Sequence, residues 1–136
     1  MIVSTKGRYA LRVLVDLAER DDAIATLDNI SDRQGISEKY LEVIASLLVR
    51  GGLIKGRRGK GGGYYLAVDP EKCTVGKVLK LTEGSLAPVA CLSGSENVCP
   101  RASKCSTVAM WQKLDNLIDG FFEGITLADL MENGKK

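Results

Sequence analysis

The alternation of apolar and polar positions predicts a mostly helical chain with one short β-hairpin. Tyr9, Leu11, Val13, Leu14 and Leu17 form an apolar stripe behind a capping Ser4 or Thr5, giving a first helix to about Glu19. Asp21-Asp22-Ala23 breaks that pattern. A short helix follows from about Leu27 to Gln34, with Leu27 and Ile30 inward. Gly35 makes a turn, and Ser37 caps a third helix, about Glu38 to Arg50, whose apolar positions are Leu41, Ile44, Leu47 and Leu48. Two helices joined by a short turn containing glycine form the helix-turn-helix pattern, which any helical hairpin also presents.

The next segment narrows the choice. Leu53-Ile54-Lys55 and Tyr64-Tyr65-Leu66-Ala67-Val68 read as two strands joined by Gly56-Arg57-Arg58-Gly59-Lys60-Gly61-Gly62-Gly63. A β-hairpin directly after a helix-turn-helix makes a winged helix. The glycine loop does not fit a nucleotide site: Gly59-Lys60 runs into glycines and a strand rather than Ser or Thr and a helix, and Tyr64 stands where a dinucleotide loop needs glycine. Arg50, Lys55, Arg57, Arg58 and Lys60 instead cluster without an acidic residue among them, the footprint of a nucleic-acid contact. Lys6, Arg8 and Arg12 sit in the first turns of the first helix, against the dipole preference for acids there, and place cations within reach of phosphate.

Downstream, Cys73 or Thr74 opens a helix to about Thr82, with Val75, Val78, Leu79 and Leu81 apolar, and Glu83-Gly84-Ser85 with Pro88 forms a linker. A long helix is predicted from Cys105 or Ser106 to about Phe122. Within and just beyond it, Trp111, Leu114, Ile118, Phe121 and Ile125 follow spacings of 3, 4, 3 and 4, the seam of a coiled coil, which implies a homodimer. A last helix, Leu127 to Met131, follows Thr126 as its cap. The expected organisation is a winged helix-turn-helix over 1–84, a linker and cysteine loop over 85–105, and a dimerisation helix with a C-terminal helix over 106–136, all in one structural domain.

Composition adds two restrictions. With 136 residues, 45% of them hydrophobic, the chain is large enough for a real core, and a net charge of +2 decides nothing by itself. There is no histidine, which removes every histidine-based triad and metal site, and no nucleophile–base pair is recognisable, so an enzyme is not expected. Ala10 to Ala18, the longest early apolar stretch, is interrupted by Arg12 and Asp16, too short and too charged for a membrane span or signal peptide. The expected compartment is the cytoplasm, where thiols stay reduced and clustered cysteines carry metal or redox chemistry. Cys91, Cys99 and Cys105 lie in one polar stretch; soft thiolates of this kind select iron–sulfur clusters, zinc or copper(I), and three of them leave a cluster one ligand short.

Taken together, Ser4-Thr-Lys-Gly-Arg-Tyr-Ala-Leu, Ile36-Ser-Glu-Lys-Tyr-Leu-Glu, Arg58-Gly-Lys-Gly-Gly-Gly-Tyr-Tyr-Leu-Ala and Ile125-Thr-Leu-Ala-Asp-Leu resemble the Rrf-two family of bacterial winged-helix regulators, over nearly the whole chain. The resemblance implies a homodimeric repressor or activator on a roughly two-fold symmetric operator in double-stranded DNA. It places Ser37, Lys39, Tyr40 and Glu42 in the major groove, with Glu42 accepting from cytosine N4. It places Arg57, Arg58, Gly59 and Lys60 at the minor groove, and Ser4, Thr5, Lys6 and Tyr9 on phosphates. It also favours an iron–sulfur cluster on Cys91, Cys99 and Cys105, 4Fe–4S ahead of 2Fe–2S. Cluster-binding members place a histidine three residues after the third cysteine, or a carboxylate near the start of the first helix. Those positions here are Val108 and Arg8, neither of which can coordinate, so the fourth ligand is unassigned among Cys73, Glu96, Ser106, Thr107, a partner's acid or a small external thiol. The alternatives are a cluster-free thiol or cysteine-metabolism repressor and a small electron-transfer iron–sulfur protein.

Overall fold

The computed structural model describes residues 3–20, 24–93 and 100–134. Its element order is α1 (Thr5–Ala18), α2 (Leu27–Gln34), α3 (Glu38–Arg50), β1 (Ile54–Arg57), β2 (Gly63–Leu66), α4 (Val75–Glu83), α5 (Val108–Glu123) and α6 (Leu127–Gly134). The chain is therefore mainly α with a two-stranded antiparallel wing.

Local chemistry sets most of the helix ends. Ser4, Thr26, Ser37 and Thr74 each accept a backbone N–H with their side-chain oxygen and start α1 to α4. Such caps are each worth about 1 kcal/mol. Thr26 and Asn29 form a reciprocal capping box, and so do Thr126 and Asp129 at the start of α6. Gly35 ends α2 with φ +67°, a left-handed conformation natural to glycine, and its N–H closes on Ser31 O at 2.8 Å. Ile36 is buried in this turn, so the chain re-enters as α3 at a fixed angle.

In the wing, Ile54 pairs with Leu66, Lys55 with Tyr65, Gly56 with Tyr64 and Arg57 with Gly63. The strands are displaced from the expected ones: β1 begins one residue later and runs to Arg57, and β2 starts at Gly63 and ends at Leu66. The reason is a third backbone segment the pattern could not reveal, in which Ala25 and Tyr64 exchange hydrogen bonds of 2.9 and 2.8 Å. A Cβ on Gly63 would lie 2.6 Å from Ala25 O, and one on Gly62 would lie 2.2 Å from Arg57 O. The two glycines are what permit the wing to close on itself and on Ala25.

Two apolar clusters hold the molecule. The larger joins Ala10, Leu14 and Leu17 of α1, Ile30 of α2, Leu41, Ile44 and Leu48 of α3, Leu53 and Ile54, Val78 of α4 and Leu127 of α6. The C-terminal helix thus completes the winged-helix core rather than trailing behind the long helix. The smaller cluster is Val75, Leu79 and Leu86, covered by Ile118, Phe122 and Ile125. Beside it, Val75 N–H donates to Ile125 O at 2.8 Å and Leu127 N–H to Cys73 O at 2.9 Å, strapping the α5–α6 turn to the start of α4. Lys80 adds ion pairs to Asp119 and Glu123 at 2.5 and 3.1 Å, and Thr74 donates to Glu123 at 2.9 Å.

The long helix departs from expectation in two ways. It starts at Val108, not at Cys105 or Ser106, because Cys105 is extended at φ −77°, ψ 116°. Its predicted seam also divides. Ile118 and Ile125 pack on α4 within the chain, and Trp111 is half-buried, whereas Leu114 and Phe121 are exposed. The apolar stripe left open on α5 is Met110, Leu114, Leu117 and Phe121, which are 52%, 38%, 70% and 63% exposed. A spacing argument merged two faces of one helix, the face toward α4 and the face toward solvent.

Candidate nucleic-acid interface and cysteine loop

The first turn of α3, the wing tip and the start of α1 carry the residues expected at DNA. On α3, Ser37, Lys39 and Glu42 are exposed and Tyr40 is half-buried. Tyr40 meets Tyr9 of α1 edge to face, with ring centroids 5.8 Å apart. Arg12 lies over the other ring of this pair, 5.2 Å from the Tyr9 centroid, and donates to the side-chain and backbone oxygens of Gln34. Tyr9 and Tyr40 therefore brace α3 against α1. Arg12, read from sequence only as a possible phosphate contact, joins α1 to the end of α2. Its place three residues after Tyr9 was a signal, but only the fold shows that the partner is Gln34.

A second brace lies one turn on. Arg33 makes a two-pronged contact with Asp16, 2.9 and 2.7 Å, and Gln34 donates to Asp16 at 3.1 Å. Burial pushes the Asp16 carboxyl up, but Arg33 and Gln34, with Arg20 nearby, together hold it below its ordinary value. The helix-turn-helix is thus fixed to α1 at its turn, where a rotation would misdirect α3.

The wing presents Arg57, Arg58, Gly59 and Lys60 in the open, and Gly59 adopts φ +92°. Thr5 and Arg8 are exposed at the start of α1, where Arg8 donates to Thr5 at 3.1 Å, and Lys6 is half-buried. Ser4 differs from its expected neighbours. Its hydroxyl accepts from Gly7 N–H at 3.1 Å and donates to Glu83 at 2.6 Å, so it serves as a cap and a link to α4. Beside the α3 N-terminus, Glu38 meets Asp28, which with Asp32 and Glu42 raises its carboxyl above the ordinary value. These four acids gather where α2 meets the start of α3.

The cysteine stretch is attached to the fold at both of its ends. Leu86 is buried in the smaller cluster, and the following segment folds beside α5, where Leu92 and Ser93 line a cleft with Lys80, Asp115 and Asp119. Cys91 sits in a single helical turn, Ala90–Leu92, half-exposed. Cys105, also half-exposed, stands at the N-terminus of α5 with its sulfur 3.4 Å from Thr107 Oγ1. Thr107, through its hydroxyl and its backbone N–H, and then Val108 through its own N–H, draw the Cys105 thiol below its ordinary range. Thr107 is the residue that precedes the first turn of α5, and its side chain makes no cap. Cys99 and Glu96 lie outside the described residues. Cys73 is buried in the core, where desolvation raises its thiol, so it is a packing residue. Among the described residues no group of three metal-binding side chains is assembled. Val108 at the head of α5 offers no donor atom, and Arg8 remains a cation bonded to Thr5.

The sequence profile of the Rrf2 (Rrf-two) family, iron-dependent transcriptional regulators, matches residues 3–133. The chain belongs to this family. It is 38% identical over 134 residues to the HTH-type transcriptional regulator IscR of Escherichia coli, a match covering 98% of this chain and 82% of that one. Among solved structures, IscR of T. potens superposes with a TM-score of 0.77 at 33% identity, covering 98% of this chain and 88% of that one. CymR, the global cysteine regulator of B. subtilis, superposes at 0.78 with 30% identity and 98% coverage of both chains. This Rrf2 chain is thus a DNA-binding transcriptional regulator of a non-enzymatic family with the winged-helix fold. No described helix is long and apolar enough to cross a membrane.

Proposed function

We propose that the chain is a cytoplasmic homodimeric regulator of a pseudo-palindromic operator, sensing iron–sulfur cluster supply or redox state through Cys91, Cys99 and Cys105. The observation that carries this reading is the position of Cys105. Its thiol, bonded to Thr107 and drawn below its ordinary range, lies just ahead of the helix whose outer stripe, Met110, Leu114, Leu117 and Phe121, is open to a second copy. The far end of that helix is strapped to α4 and the winged-helix core.

Thiolate character at Cys105 and partial exposure of Cys91 suit a soft metal centre, and three cysteines fit a cluster that takes its fourth ligand from elsewhere. Cys91, Cys99 and Cys105 would hold a cluster, 4Fe–4S ahead of 2Fe–2S, which would supply an oxidisable centre. The chain's own residues do the rest. Thr107 and Val108 keep Cys105 ready to ligate, and Leu86 anchors the segment leading to Cys91. Lys80 holds α5 through Asp119 and Glu123, so that movement at the loop reaches α4 and the recognition helix. On DNA, Ser37, Lys39 and Glu42 enter the major groove, Arg57, Arg58 and Lys60 meet the minor groove and its edges, and Thr5 and Lys6 hold phosphates.

A second reading is a repressor that uses the bare thiols. It is supported by Val108 and Arg8 standing where ligands are expected, and by similarity to CymR, a regulator of cysteine. Anaerobic purification with iron and sulfide counted, together with absorption spectra and operator affinity, separates the two. The cluster reading expects brown protein that Cys99→Ala bleaches, with operator affinity differing between loaded and stripped forms. Colourless, iron-free anaerobic protein that binds its operator until its thiols are oxidised supports the second reading. Equal affinity in all states refutes sensing by this loop.

A further inference from the structure

The outward face of α3 has a composition that phosphate binding does not explain. Its exposed positions include Lys39, Glu42, Val43, Ser46, Val49 and Arg50. Cations stand only at its two ends, while the stretch from Glu42 to Val49 carries none. A surface resting on phosphates along its length needs cations along its length. Val43 is 54% exposed in this stretch, and Leu41, Ile44, Ala45 and Leu48 fill the opposite, buried face without it. Val43 also has lower helix propensity than a Lys, Glu or Gln would have at the same exposed site. An exposed valine alone is ordinary. This one lies beside Glu42, between Lys39 in the first turn of the helix and Ser46, and the cationic wing lies beyond the helix.

In the major groove, thymine alone presents an apolar group, its C5-methyl, and aliphatic side chains recognise it by contact. We propose that Val43 reads a thymine C5-methyl in each operator half-site, next to the base pair met by Glu42. The inference rests on the recognition role of α3 proposed above. Lys39 and Arg50, near the two ends, reach toward the phosphate walls, and the uncharged stretch from Val43 to Val49 sits over the base edges.

The test uses the full-length protein to select its operator from random duplex DNA. Each thymine of the selected half-site is then replaced by uracil, which deletes the methyl and leaves the hydrogen-bonding edge unchanged. Affinities are measured for the native protein, Val43→Ala and Val43→Thr, whose exposed site leaves the core intact. One thymine per half-site is expected at which uracil weakens native binding about fourfold, and about fifteenfold when both half-sites are changed. Val43→Ala should bind the thymine operator about as weakly as the native protein binds the uracil one, with no further loss on uracil, and Val43→Thr should retain part of the preference. Native binding indifferent to uracil at every thymine overturns the proposal, as does a Val43→Ala protein that keeps the full uracil penalty. Loss of self-association in Val43→Ala with unchanged DNA affinity would reassign the face to a protein contact and overturn it too. Failure to select any sequence overturns the recognition-helix reading itself, a different result from selecting an operator in which methyls do not matter.

Discussion

Leu117 and Ile118 are neighbours in sequence with opposite surroundings, and substituting each tests the division of α5 into two faces. Leu117 is 70% exposed, whereas Ile118 packs on Val75, Leu79 and Leu86. Full burial of a leucine side chain stabilises by about 2 kcal/mol. Covering the exposed seven-tenths of Leu117, less what an alanine would still bury, gives about 1 kcal/mol per protomer. Two-fold symmetry counts it twice, so Leu117→Ala should weaken dimerisation by about 2 kcal/mol, or about thirtyfold in Kd. The folding of the separated chain should be unchanged. Ile118→Ala removes side chain from an internal contact and should lower the chain's own stability by about 2 kcal/mol, the low end for such truncations because the residue is only half-buried. Sedimentation equilibrium over a wide concentration range gives the first number. Urea unfolding below the dissociation constant gives the second. A Leu117→Ala protein that self-associates within threefold of native refutes the stripe, and an Ile118→Ala protein that loses association but not folding stability refutes the internal packing.

Arg58→Ala should weaken operator binding by about 2 kcal/mol and relax sequence preference, read by gel shift on specific and scrambled duplexes; unchanged affinity would remove the wing from the interface. Lys6→Ala should weaken binding about equally on all sequences and reduce the salt slope by about 1, measured by titration at several salt concentrations. Asp16 has its folded carboxyl value depressed by Arg33 and Gln34 despite burial, so its contribution is present above the unfolded carboxylate range and is lost as pH falls through the folded value. Asp16→Asn should therefore cost about 2 kcal/mol at pH 7 and flatten the fall in stability below about pH 4, followed by thermal unfolding against pH. An equally steep acid profile in the variant would show that other carboxylates govern it.

The helix-turn-helix was legible because its signals are local. Gly35 and Ser37 each act on backbone within a few residues, and the end of α2 and the start of α3 fall where those residues place them. The wing is legible as an element, but its register is not, since Ala25 pairs with Tyr64, 39 positions further along the chain. Ser4 was read as a phosphate contact, yet its hydroxyl donates to Glu83, 79 positions away, which no pattern in the first helix encodes. The α5 seam was misdivided because a stripe spaced for a coiled coil and a stripe facing α4 overlap on a helix of this length. The start of α5 is not legible because no side chain caps it: Thr107 precedes the first turn without a side-chain hydrogen bond to it, and Cys105 is still extended. Cys91, Cys99 and Cys105 were recognisable as a set by spacing alone, and the fold adds how two of them are attached.

The strap between Cys73–Val75 and Ile125–Leu127 bears on how the molecule can be taken apart. Because Leu127 returns to the core beside α1, α5 is an excursion that leaves the winged helix after α4 and comes back to it. A shortened chain ending before α5 would not be a free DNA-binding half: it would leave the seat of Leu127 open to water. The Cys91–Cys105 segment and α5 are therefore a loop inserted into one folding unit, and a displacement anywhere along that loop has both of its ends in the winged-helix body.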